Sequence, residues 1–152
     1  MLEQLEQLVP ALEDAYAQPI EAIGNSSIGD HIRHLIEFYA CLFSGLEKTS
    51  EVDYEGRKRN QDLAQFPAVA LSAIAELKQA LHRPLLEREL QVQGMLSSVG
   101  RELQYAFDHA IHHCALIKAG LYILQKKHLV TDDFGVSPST VRYRERQALM
   151  SS

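Results

Sequence analysis

Seven histidines occur in the chain, and five of them fall in two short stretches, Asp30-His31-Ile32-Arg33-His34 and Asp108-His109-Ala110-Ile111-His112-His113. Imidazole changes charge near neutral pH and is the commonest side-chain ligand for transition metals, so such clustering points to metal binding. On a helix, at roughly 100° per residue, His109 and His113 lie about 40° apart and one turn from each other, so both rings can reach one ion. His112 falls about 60° to the other side of His109. Two imidazoles seldom hold an ion tightly, so a third ligand must come from elsewhere, and His31 and His34 stand one turn apart in the earlier stretch. The apolar stripe around that pair is centred near Leu35 and Tyr39, which on the helical wheel alone favours His31 over His34. A single i, i+4 pair is more often a surface or hydrogen-bonded pair than a ligand pair. The second, separate pair is what lifts metal binding to equal standing with that plainer reading.

Three neutral imidazoles leave a divalent ion with net positive charge and at least one position for water or substrate, whereas a closed structural site needs a fourth protein ligand. Zinc held this way lowers the pKa of bound water to about neutral or activates a thiolate. An open metal position of this kind would suit a metal-dependent transferase or hydrolase acting on a small molecule. Imidazole ligands alone suit zinc, nickel, copper and iron alike. Other residues have the spacing to assist. Glu102 lies two turns and Tyr105 one turn before His109, placing both to line the approach to an ion, although a solvated Glu and a core Tyr are the commoner fates. Glu37, one turn after His34, is spaced to orient that ring's free nitrogen. In Asp53-Tyr54-Glu55-Gly56-Arg57-Lys58-Arg59 three basic residues offer partners for a carboxylate or phosphate at the mouth of the site, against the plainer reading of a solvated loop.

Helices must position these groups. Leu2, Leu5, Leu8, Val9, Leu12 and Tyr16 recur at three and four, which predicts an amphipathic helix to about Ala17 with Pro10 as a kink point. Ser27 followed by Asp30 makes a capping start for a second helix running to about Gly45. Residues 48–66 show no sustained period and read as a long loop. Pro67 opens a third helix whose buried side is Val69, Leu71, Ile74, Leu77 and Leu81, with Pro84 as the stop. Residues 86–96 alternate loosely, as an extended segment would. Ser97-Ser98 caps the longest pattern, about Val99 to Gln125, with Leu103, Phe107, Ala110, Ile117, Leu121 and Leu124 among its apolar positions. The expected architecture is all-α, a four-helix bundle over about residues 1–127 of a single domain, followed by a C-terminal arm over about 128–152.

Composition bounds the function. The chain has 152 residues, 46% hydrophobic and 23% charged, which suits one globular core. With 15 basic against 20 acidic residues the formal charge is −5, which disfavours nucleic-acid binding. No apolar run reaches the length of a membrane span. The acidic start, Met1-Leu2-Glu3-Gln4-Leu5-Glu6, is unlike a secretory signal, and a cytoplasmic location is expected. Cys41 and Cys114 lack redox or zinc-ribbon spacing and are expected to pack as small hydrophobes.

The stretches Ser26-Ser27-Ile28-Gly29-Asp30-His31-Ile32-Arg33-His34-Leu35 and Phe107-Asp108-His109-Ala110-Ile111-His112-His113-Cys114-Ala115-Leu116-Ile117 resemble those of the DinB-like (YfiT-like) family of bacterial four-helix-bundle proteins. The resemblance spans nearly the whole chain. It implies a three-histidine site on His34, His109 and His113, loaded with zinc or nickel, and a low-molecular-weight thiol as co-substrate for transfer or isomerisation. It leaves His31 and His112 as candidates for a fourth ligand, a supporting partner or a substrate contact. Two competing readings remain: a metal that merely pins a bundle whose outer faces form a homodimer, and a helical interaction module whose imidazoles point outward.

Overall fold

The computed structural model describes residues 1–81 and 86–150. Four long helices share one core: α1 (Leu2–Leu12), α2 (Ile28–Lys48), α4 (Pro67–Leu81) and α5 (Val99–Ile123). A short helix α3 (Asp62–Gln65) precedes α4, and α6 (Pro138–Met150) ends the described chain. Helix α2 is central, packing against α5 on one side and α3 and α4 on the other, while α1 packs on α4. No helix among the described residues is long and apolar enough to cross a membrane.

The expected all-α architecture needs one correction. A three-stranded sheet joins β1 (Glu51–Val52), β2 (Glu89–Val92) and β3 (Met95–Ser98), with β1 parallel to β2 and β2 antiparallel to β3. Gln93 and Gly94 both have positive φ, 50° and 76°, the backbone that a two-residue hairpin demands. The predicted loop over 48–66 is therefore interrupted by β1 and α3. Two residues of strand and four of helix are too short to leave a periodic signature. Gly45 lets β1 dock on α2, since a Cβ there would lie 2.5 Å from the Glu51 carbonyl oxygen.

Helix α2 starts where the sequence indicates. The Ser27 hydroxyl accepts from the Asp30 N–H and the Asp30 carboxylate accepts from the Ser27 N–H, both at 3.0 Å, a complete capping box. Ser98 caps α5 through the Arg101 N–H. Helix α1 continues past Pro10 and stops at Leu12 instead of Ala17, where Glu13 takes a φ of 50°, outside the right-handed helical region, and a 3-10 turn over Glu13–Ala15 follows. Tyr16 still joins the core, donating its hydroxyl to the Leu63 carbonyl. In α4, Ala70, Ile74 and Leu77 are buried and Leu71 and Leu81 half-buried, whereas Val69 is exposed. The stop expected at Pro84 lies outside the described residues. The C-terminal arm is anchored by buried Phe134, and its α6 buries no residue.

Candidate metal centre

Helices α2 and α5 face each other, and each contributes two histidines to one cluster. His34 Nε2 lies 2.7 Å from His109 Nε2, and His31 Nδ1 lies 3.0 Å from His113 Nδ1. The His113 ring centroid is 4.4 Å from that of His34 and 4.7 Å from that of His109. One ring nitrogen each from His34, His109 and His113 falls within 4.8 Å of the others, and this is the group among the described residues with metal-holding geometry. A tetrahedral ion with Zn–N bonds of about 2.0–2.1 Å keeps its nitrogens about 3.4 Å apart. Small ring rotations bridge the difference, so the donor set fits a divalent metal.

The wheel's preference for His31 is overturned by this geometry. His31 sits behind the trio, buried, with Nδ1 against His113 and Nε2 lacking any hydrogen-bond partner. With Nδ1 of His113 engaged there, Nε2 is the atom left to ligate. Metal-bound histidines characteristically anchor their second nitrogen in this way. His112 is exposed, with its ring 5.5 Å from that of His113, and stays outside the cluster.

Burial holds the rings neutral, the form that ligates. Desolvation, aided by the Arg57 charge, lowers His34 to about 4. Desolvation and the neighbouring rings lower His113 to about 3. His31 and His109 shift in the same direction, again chiefly through burial.

Glu37 does not orient His34. Its buried carboxylate accepts the Asn60 N–H at 2.7 Å and lies between Arg33, at 3.6 Å, and Arg57, at 3.8 Å. Arg57 takes the expected place, with Nη2 at 2.9 Å from His34 Nδ1 and Nη1 donating to the Tyr54 carbonyl at 2.7 Å. The basic run thus divides, since Lys58 and Arg59 are exposed.

Glu102 is neither solvated nor a lining group. It is 1% exposed and accepts from Tyr54, Ser97 and Arg101 at 3.0, 2.6 and 3.0 Å. Its influence reaches the cluster through Tyr54, whose ring stacks on Phe38 at 4.2 Å, and Phe38 lies 4.7 Å from His109. Tyr105 is 48% exposed and flanks His109 at 6.2 Å, at the surface and not in the core. Phe38 and Tyr54 escaped the sequence reading. Phe38, one turn after His34 on α2, carried a positional signal, whereas Tyr54 carried none.

The cysteines behave as packing groups. Burial raises the Cys114 thiol to about 12, and burial raises the half-buried Cys41, whose Sγ donates to the Asp53 carbonyl at 3.2 Å. No family model, no curated protein and no solved structure matches the chain.

Proposed function

We propose that the chain is a metal-dependent enzyme of the DinB-like kind, holding zinc or nickel on His34, His109 and His113 and acting on a small molecule with a low-molecular-weight thiol as co-substrate. The observation that carries this reading is the convergence of three neutral imidazoles from two helices with His31 placed behind them. The second competing reading, outward-pointing imidazoles, does not match that convergence. A metal staple would call for a fourth protein ligand, and the group with metal-holding geometry among the described residues numbers three, His31 standing against His113.

A divalent ion so held supplies Lewis acidity, lowering the pKa of a bound water or thiol toward neutrality. The protein supplies the rest. His31 fixes the His113 ring, the Phe38 and Tyr54 stack keeps water from one flank of His109, and Tyr105 forms a half-exposed wall beside it. Such a wall suits an apolar electrophile brought in from solvent.

Elemental analysis of untagged protein tests the centre: about one equivalent of metal is expected in the wild type and a small fraction of that in His109→Ala. Stoichiometric metal in the variant would dismiss the ligand set. A screen of low-molecular-weight thiols against electrophilic acceptors, with and without chelator, tests the chemistry. Full metal loading with no chelator-sensitive turnover would favour the staple.

A further inference from the structure

Three tyrosines are buried, and two of them commit their hydroxyls to the protein. Tyr16 donates to the Leu63 carbonyl and Tyr54 to the Glu102 carboxylate. Tyr39 on α2 is 4% exposed, and its hydroxyl has no hydrogen-bond partner among the described residues. A hydroxyl kept from water without a partner is costly, and such groups are rare in folded proteins. The Tyr39 oxygen is not sealed in the core as His31 Nε2 is, because its side chain lines a cavity.

The cavity, of about 360 Å³ and open on one side, lies where α1, α4 and α5 come together over α2. Helix α5 packs closely on α2, and neither α1 nor α4 approaches α5 as closely, so a gap remains at that seam. Leu2, Leu81, Leu103 and Phe107 form its walls, and the last three are only half-buried because the gap leaves one side of each uncovered. No histidine of the cluster lines it. Tyr39 stands five residues after His34 on α2 and Phe107 two residues before His109 on α5. Those offsets are about 140° and 160° around their helices, so the cavity lies on the side away from the histidines.

These features specify a ligand. Small-molecule pockets of about 300–1000 Å³ combine apolar walls with a few placed polar groups, and this cavity falls at the lower end of that range. Burial, with Cys114 and Asp108 nearby, raises the Tyr39 pKa, so the hydroxyl stays neutral and can both donate and accept. Of the charged lining side chains, Lys78 is bound to Glu6 at 2.6 Å and Glu3 is exposed. A charged group carried inward would lose its water and meet only apolar side chains and a phenol. We propose that this cavity is a second binding site, taking a small uncharged molecule with an apolar body and one oxygen that hydrogen-bonds to Tyr39. The site stands whether or not the histidine cluster holds a metal.

Toluene, benzyl alcohol and benzoate test it, since they offer one ring with no oxygen, a neutral oxygen and a charged group. Each is titrated into chelator-treated protein and followed by ¹H–¹⁵N NMR at the amides of Tyr39, Leu103 and Phe107. Toluene and benzyl alcohol are expected to bind saturably, and benzoate at least about tenfold more weakly than the alcohol. In Tyr39→Phe the alcohol should lose about three- to tenfold in affinity while toluene keeps its own. Leu103→Trp, which fills the space from one wall, should abolish both while circular dichroism shows the helices intact. No saturable binding to the wild type, or undiminished binding in folded Leu103→Trp, overturns the site. An unchanged alcohol affinity in Tyr39→Phe, or an equal loss for toluene, overturns the hydrogen bond to Tyr39. Benzoate binding as tightly as the alcohol overturns the preference for an uncharged ligand. Tyr39→Phe preserves the packing, so the proposal stays open to refutation even if Leu103→Trp does not fold.

Discussion

Replacing His31 with Phe separates metal affinity from fold stability. The ring is buried, its Nδ1 lies 3.0 Å from His113 Nδ1, and its Nε2 is without a partner. Phe fills nearly the same space and removes the acceptor that anchors His113. The loss of one net hydrogen bond costs about 0.5–1.5 kcal/mol. Offsetting this, the burial of an unsatisfied Nε2 disappears while His113 Nδ1 takes its place as the single unpartnered nitrogen. The change in unfolding free energy in the presence of chelator is therefore expected within about 1 kcal/mol of zero. Metal affinity behaves differently, because removing a partner that orients a ligand typically costs 10–100-fold, or about 1.4–2.7 kcal/mol. Urea denaturation in chelator reads the first quantity and competition with a chromophoric chelator reads the second. Unaltered affinity would refute the role of His31 as the anchor of His113. Collapse of stability in chelator would show instead that His31 is a core residue whose contacts the ring swap cannot replace.

Two further outcomes follow from the buried charges. His113 and His34 are lowered from 6.5 to about 3 and about 4, so the unfolded chain takes up protons first as pH falls. Stability of chelator-treated protein should be complete above about pH 6.5 and decline toward pH 4, by less than about 1.4 kcal/mol per pH unit for each of these half-buried rings. A urea midpoint that is flat or rising from pH 7 to pH 4.5 would contradict this. Glu37→Leu removes the buried carboxylate from between the half-buried Arg33 and Arg57 and leaves the Asn60 N–H without its acceptor, which should cost about 1–3 kcal/mol, whereas an unchanged midpoint would mean that these donors find other partners.

The helices were legible because burial imposes a period on them. The stripe of α1, the capping box at Ser27 and Asp30 and the Ser98 cap are local features, written in residues three and four apart. The sheet was legible only in part: residues 86–96 read as extended, and β2 and the start of β3 fall there, whereas the two residues of β1 carry no alternation and pair with β2 across nearly forty residues of chain. Glu102 shows the limit of composition rules: a carboxylate that sequence reading leaves in solvent is buried because Tyr54, Ser97 and Arg101 converge on it.

The same division runs through the cluster. Sequence alone determined that two histidine-bearing helical faces exist and that His109 and His113 share one of them, because helical spacing depends on the backbone and on nothing distant. Which α2 histidine joins them was a tertiary decision. The packing of α2 on α5 turns His34 toward His109 and sets His31 behind His113. Arg57 replaces Glu37 at His34 Nδ1 for a related reason: the loop that carries it is pinned to α2 by β1 and by the Glu37–Asn60 bond, contacts between residues that no local spacing relates.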